Sequence, residues 1–334
     1  MNLSLKEKIY GCLTGAAIGD ALGLGTEFMT RVEAKIRYPQ GLRRYEDILR
    51  DAHRRQWKRG DWTNDTEWIL LATRSMTEKK SVDNMDIAKR IKEWFDCDPP
   101  DVRTSMQWTI SQDDYLDDPI NVCVRTWEKM ARFEASNEAL GRCLTLALWP
   151  SSREEAVAKA AESCALTHAD KRCIGTSAIL AAMAHSLMWD DKCLEHDDIA
   201  AIGKQYYLYI LPFLRTAWEG ELSELELDDE DTLWYTRKAA AAALWGIWHL
   251  DSPEKILYRM IDEAGDADTN ASLAMALAGL KWGYSALPKH LVDGLLQKDR
   301  LFEHAEKLTA AIEEELEKRS RKVLHYPQIK MNYV

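Results

Sequence analysis

The sequence predicts an all-α protein folded as one compact domain over residues 1–334. Apolar residues recur at helical spacing along most of the chain, and no stretch shows the two-residue alternation of a strand. Glycine, proline and cap-forming residues break that pattern at helix-length intervals, with no repeat of about 20–50 residues. Hydrophobic residues make up 46% and charged residues 30%, an ordinary globular balance with enough chain to bury a sizeable core.

Charge and cysteine content narrow the partners. A net charge of −11 speaks against broad binding to a nucleic-acid backbone, which gathers lysine and arginine on one face. The basic groups at Arg43-Arg44 and at Arg54-Arg55 with Lys58-Arg59 read as a solvated loop. Seven cysteines form no C-x-x-C pair and are odd in number, which points to reduced thiols in a reducing compartment. No apolar run approaches the ~20 residues of a membrane span, and no signal-peptide core precedes the first helix. The expectation is a cytoplasmic protein without membrane or nucleic-acid partners.

In chain order, residues 5–24 place Ile9, Leu13, Ala16 and Asp20 on one stripe. Asp20 therefore falls on an apolar face, where it needs a partner such as a neighbouring helix N-terminus or an arginine. Gly11, Gly15, Ala16, Ala17 and Gly19 suit close backbone approach, and Glu27 follows in the loop. Residues 30–62 show a short helix and a long functional or mobile loop. A helix begins near Thr66, another covers about 85–95, and Asp98-Pro99-Pro100-Asp101 forms a rigid turn that opens the next with Asp101 near its N-terminus. Residues 111–119 are an acidic loop. Helices follow at about 121–132, 139–149, 153–166 and 174–188, with Thr167-His168-Ala169-Asp170 interrupting. A helix at about 199–218 is expected to kink at Pro212. Glu219–Asp231 is an acidic linker, solvated or at the edge of a cleft. Helices at 235–250 and 254–262 precede an alanine-rich helix whose Ala271, Ala274, Ala278 and Gly279 form a small-residue face. The last helix spans about 301–320, and the tail from Val323 is expected to be irregular.

Two oxygen-rich clusters stand where helices begin: Thr63-Asn64-Asp65-Thr66 and Asp266-Ala267-Asp268-Thr269. Threonine, asparagine and aspartate are good N-caps, so each cluster has a purely structural reading. They also offer the hard oxygen ligands that a divalent cation takes, and two such clusters can close one site between them.

These segments resemble the ADP-ribosylglycohydrolase family. The family's opening helix, G-x-x-x-G-x-x-x-G-D-A-x-G with a glutamate shortly after, is matched by Gly11 to Glu27. Its T-D-D-T motif is matched at Thr63-Asn64-Asp65-Thr66, and its G-D-x-D-T motif at Asp266, Asp268 and Thr269. Pro100-Asp101-Val102 resembles its D-I-G-N-T segment, Ser136-Asn137-Glu138-Ala139-Leu140-Gly141-Arg142 its G-N-G-x-x-M-R loop, and Thr167-His168-Ala169-Asp170 its T-H-x-D segment. The matches fall in the family's order from about residue 9 to 290.

The resemblance implies a helical bundle with a metal-lined cleft and hydrolytic removal of ADP-ribose from a modified protein or small molecule. Two Mg²⁺ or Mn²⁺ ions are implied, held by Thr63, Asn64 and Asp65 on one side and by Asp266, Asp268 and Thr269 on the other. Glu27 would assist water activation beside the principal ligand Asp65, while Asp101, Asn137 and His168 would line the ADP-ribose pocket. The T-H-x-D and D-I-G-N-T-like segments resemble the bacterial branch and favour an N-glycosidic arginine linkage over a serine-linked one. Asn64 departs from the first aspartate of T-D-D-T, and Arg103-Thr104 from the family's Gly-Asn; Glu138 and Gly141 stand where the family often has Gly and Met. A non-catalytic ADP-ribose binder or structural member of the fold is the alternative that Asn64 supports. A His-Asp metal phosphohydrolase is disfavoured, because the one His-Asp pair, His196-Asp197, sits in a polar loop.

Overall fold

Ser4 accepts a hydrogen bond from the Glu7 amide and opens helix α1 (Leu5–Gly23), the first of sixteen α-helices among the described residues. The structure, a computed structural model, describes residues 3–100, 102–133 and 135–324. The others in order are α2 (Arg31–Arg37), α3 (Asn64–Lys79), α4 (Asn84–Phe95), α5 (Thr104–Ile110), α6 (Pro119–Lys129), α7 (Leu140–Thr145) and α8 (Arg153–Ala165). Next come α9 (Lys171–Trp189), α10 (His196–Tyr206), α11 (Leu211–Glu219), α12 (Thr236–His249), α13 (Pro253–Glu263), α14 (Ala267–Trp282), α15 (Lys289–Gly294) and α16 (Lys298–Leu324). No strand occurs among the described residues, and no helix there is long and apolar enough to cross a membrane.

The centre of the molecule is the pair α1 and α14. Every residue from Gly11 to Gly23 and from Ala267 to Leu280 is buried, as expected of helices that are small or apolar all round. The two run antiparallel at backbone contact. A Cβ on Gly11, Gly15 or Gly19 would lie 2.3 Å from the carbonyl oxygen of Gly279, Met275 or Ala271. Glycine at four-residue intervals is therefore required by the crossing itself. Helices α9, α12 and α13 pack against α14, while α3 and α16 pack against α1, and α7 bridges α3 to α9. The two acidic helix starts, at α3 and α14, thus face the same end of α1.

Several expectations are corrected. The helix expected at 199–218 is two helices: α10 ends at Tyr206, a 3₁₀ turn spans Leu208–Ile210, and Pro212 lies in the first turn of α11. Proline lacks the N–H that an internal helix position needs but loses nothing in the first turn, so it starts a helix here and kinks none. The helix expected at 139–149 ends at Thr145 and tightens into a 3₁₀ turn. The last helix runs from Lys298 to Leu324, longer than its apolar stripe suggested. Most of the tail expected to be irregular, and Asp101, lie outside the described residues.

Candidate active site

The site is built where three loops meet. Gly265, at φ +70°, donates its amide to Met29 O at 2.9 Å, and its carbonyl accepts from Phe28 N at 2.7 Å. This short parallel bridge clips the loop after α1 to the turn before α14, so Glu27 and Asp266 become neighbours although 239 positions separate them. A Cβ at Gly265 would fall 1.9 Å from Leu227 O, so the acidic linker presses on the same turn and only glycine fits.

The third loop arrives through Asp20. Its carboxylate accepts from the amides of Thr63 and Thr66, each at 3.0 Å, and from the Thr66 hydroxyl at 2.6 Å. Asp20 is thus the cap of α3 from a neighbouring helix, the partner its apolar position demanded. Burial pushes its carboxyl up to about 6, against the hydrogen bonds from Thr66 and Thr63 that pull it down. Because Asp20 takes the Thr63 and Thr66 amides, the side chains of Asn64 and Asp65 are not consumed in capping them.

Carboxylate oxygens of Glu27, Asp266 and Asp268 lie within 4.8 Å of one another, all three buried. The Asp268 carboxyl is held well above the usual range, by burial first and then by the charges of Glu27, Asp266, Asp65 and Asp20. That list brings the two sequence clusters together: Asp65, on α3, repels Asp268, on α14. Asp268 Oδ1 is buried without a hydrogen-bond partner. Thr63 and Thr269 are also buried, while Asn64 is half-buried at the start of α3.

The middle motifs support this centre. Asn137 donates from Nδ2 to Asp266 Oδ2 at 2.5 Å. His168 is nearly fully buried: one ring nitrogen pairs with Ser136 Oγ at 2.9 Å, the other with Thr167 Oγ1 at 2.8 Å. Arg142 continues the chain of contacts by donating to Thr167 Oγ1 at 2.6 Å and to Ser163 O at 2.9 Å. The T-H-x-D segment and the 136–142 loop are thereby one network, whose end fixes Asp266.

Sequence reasoning missed four contributors. His53 Nε2 lies 2.6 Å from Glu27 Oε2, and its ring packs between Phe28 and Trp57, with centroids 5.0 and 5.3 Å away. Arg54, read as part of a solvated loop, is instead buried and donates to Gly25 O at 3.1 Å and to Glu27 O. Arg103 lies 3.7 Å from Asp266 and 3.6 Å from Glu138, over the ring of Trp234. The only hints were arginine-rich, weakly periodic sequence and a departure from the family pattern. His196 and Asp197 pair at the start of α10 and join no carboxylate cluster among the described residues.

Such an arrangement of buried carboxylates is costly unless a cation neutralises it, and its donors are all hard oxygens. Comparison with known proteins gives the arrangement a family. A model of the ADP-ribosylglycohydrolase family matches residues 1–318. ADP-ribosyl-[dinitrogen reductase] glycohydrolase of Rhodospirillum rubrum is 26% identical over 294 residues, covering 85% of this chain and 89% of its own. ADP-ribosylarginine hydrolase Tri1 of Serratia proteamaculans is 22% identical over 317 residues, covering 90% and 79%. An ADP-ribosylglycohydrolase-related protein complex has the same fold, with a TM-score of 0.70 at 21% identity over 92% of this chain and 99% of that one. The chain belongs to the ADP-ribosylglycohydrolase family.

Proposed function

We propose that the protein hydrolyses the bond between ADP-ribose and an arginine side chain of a modified protein, using two divalent ions, Mg²⁺ or Mn²⁺. The observation that carries the reading is the buried Glu27–Asp266–Asp268 cluster, with ligand atoms within 4.8 Å and an Asp268 oxygen left without a partner. The arginine linkage is supported by the relatives, one named as an ADP-ribosylarginine hydrolase and one as acting on ADP-ribosyl-dinitrogen reductase. Thr63, Asn64 and Asp65 would hold the ions from α3, and Asp266, Asp268 and Thr269 from α14. When bound, the ions supply Lewis-acid charge that grips the distal ribose hydroxyls and offsets an anionic ligand.

The chain's own residues do the rest. Oxocarbenium character builds on the ribose as the C–N bond breaks, and the surrounding carboxylates favour it electrostatically. Glu27 takes a proton from the attacking water as its oxygen bonds to the anomeric carbon, and that proton is then available to the departing guanidine. His53, 2.6 Å from Glu27, fixes which oxygen faces the water. Asn137 orients Asp266, and His168 holds the loop that carries Asn137. Asp101 belongs with this set as a ligand-pocket residue by its motif.

The test is release of ADP-ribose from an arginine-modified protein in Mg²⁺, with and without chelator, comparing wild type with Asp268→Ala. Chelation and substitution should each remove turnover; equal turnover in the variant rejects the site. A serine-linked substrate and a small-molecule ADP-riboside run alongside decide the linkage. One residue favours a second reading, a non-catalytic ADP-ribose binder: Asn64 removes a charge from the ion site. Calorimetric heat with ADP-ribose but no product would select that reading.

A further inference from the structure

The short helix and loop that follow Glu27 carry a charge opposite to that of the whole chain. Residues 28–59 hold ten lysines and arginines against four acidic residues, a local +6 in a chain of −11. Little of this charge is neutralised in place. Lys35, Arg37, Arg44, Arg55 and Lys58 are exposed and form no ion pair among the described residues; on the acidic side the same holds for Glu46 and Asp47. Arg50 donates to Trp57 O and Arg59 to Ile48 O, contacts that hold a guanidinium without cancelling its charge.

The same segment exposes apolar side chains: Phe28 at 51%, Val32 at 69% and Ile36 at 71%. Val32 and Ile36 stand one turn apart on α2, each about 200° around the helix from the buried Ala34, so the face they share points away from the core. The Phe28 ring lies 5.0 Å from that of His53, whose Nε2 is 2.6 Å from Glu27, so the segment begins at the rim of the acidic site. Chain length alone keeps Val32 within about 14 Å of Phe28. Between α2 and the end of α13 lies a groove of about 550 Å³, where Arg31, Lys35, Arg43 and Arg259 outnumber Asp262 and Glu263. Thr26, next to Glu27, forms part of its wall.

We propose that residues 28–59 are the surface on which the modified protein docks, and that the partner's face is rich in carboxylates around an apolar patch. Charge complementarity selects this occupant. The unpaired cations attract and orient an acidic face, while Val32 and Ile36 lose their exposure against its apolar side chains. The groove beside Lys35 takes carboxylate side chains of the partner. Nucleic acid fits less well, because its single strands stack on aromatic platforms and the outward face of α2 is aliphatic. A partner docked here presents its ADP-ribosyl group at the Phe28 rim, with the acidic cluster directly beyond. The arginine that carries the group therefore belongs to an acidic surface. The inference rests on the hydrolase reading only in taking the partner to be a modified protein.

The test uses two peptides of matched length, each with one ADP-ribosylated arginine and the same leucines, flanked by glutamates in one and by lysines in the other. Free ADP-ribosyl-arginine is the small substrate. Wild type should cleave the acidic peptide with a kcat/KM about tenfold above that for the basic one at low salt, and added salt should shrink the ratio. Lys35→Glu combined with Arg55→Glu should lower kcat/KM for the acidic peptide about tenfold, through KM, and leave ADP-ribosyl-arginine unchanged. Val32→Ser combined with Ile36→Ser should also weaken the acidic peptide, without altering the salt dependence. A merely structural role would lower both substrates together; that result, or equal rates on the two peptides, overturns the docking surface. Binding is read separately by fluorescence anisotropy of the unmodified peptides. A wild type that holds the acidic peptide more tightly yet releases no ADP-ribose overturns the hydrolase reading and leaves the surface standing. A single-stranded RNA bound more tightly than the acidic peptide overturns the protein partner.

Discussion

Asn64 is the residue at which the proposed ion binding is most directly tested. Helix α3 has its Thr63 and Thr66 amides taken by Asp20 and its Asp65 amide by Thr63 Oγ1, at 3.4 Å. Neither Asn64 nor Asp65 is therefore needed as a cap for them, which shifts the balance from a structural to a functional reading of both. Asparagine still offers a carbonyl oxygen but lacks the charge that an aspartate would bring beside a divalent ion. Asn64→Asp should tighten Mn²⁺ binding by roughly tenfold, about 1.4 kcal/mol. Calorimetric titration of the two proteins decides it, and equal affinities would reject a ligand role for position 64. The carboxylates and Asn137 were legible in the sequence because each sits in a short motif. His53, Arg103 and Trp234 were not, because their partners lie 26, 163 and 131 positions away respectively, counted to Glu27, Asp266 and Arg103, and no local pattern encodes such distances.

At the scale of the element, the α1–α14 crossing sets the spacing of the acidic cluster. The small-residue faces of both helices were readable from composition, yet their pairing was not, since nothing local says which glycine meets which carbonyl. At Gly19 a Cβ would meet the Ala271 carbonyl oxygen at 2.3 Å and its carbon at 2.4 Å, both backbone atoms that cannot rotate away. Gly19→Ala must therefore spread the two helices, at a cost of about 1–3 kcal/mol typical of overpacking, or more. Gly141→Ala is the control, because its Cβ would meet the flexible Ile69 side chain at 3.3 Å and the nearest backbone atom, Asp65 O, at an ordinary 3.9 Å. Urea unfolding should show a large drop in midpoint for Gly19→Ala and a much smaller change for Gly141→Ala. Similar midpoints for the two would mean that the crossing tolerates separation. The expected kink at Pro212 failed for a related reason: periodicity alone does not reveal whether a proline lies inside a helix or starts one.

For the whole molecule, the site is bought at the expense of stability. Asp20, Glu27, Asp65, Asp266 and Asp268 are all buried in one region of a chain that already carries a charge of −11. Asp20 is offset by three hydrogen bonds, Glu27 by His53, and Asp266 by Asn137 and Arg103. Asp268 keeps a buried oxygen without a partner, and its carboxyl is pushed well above the usual range. A raised folded-state value means that the Asp268 carboxyl costs stability, a cost absent below the ordinary value of 3.8 and growing as pH rises from there through the folded value. Asp268→Asn removes the charge at nearly constant volume. In chelator the variant should melt above wild type, with a margin that widens as pH rises. Mn²⁺ should reverse the order: at about a hundredfold over its dissociation constant, an ion bound only by the folded state adds ~2.7 kcal/mol to wild type, and the variant should gain little. Thermal melts of both proteins, with chelator and with Mn²⁺, make the comparison. A variant that is less stable than wild type in chelator would mean that the carboxylate cluster supports the fold without help from an ion.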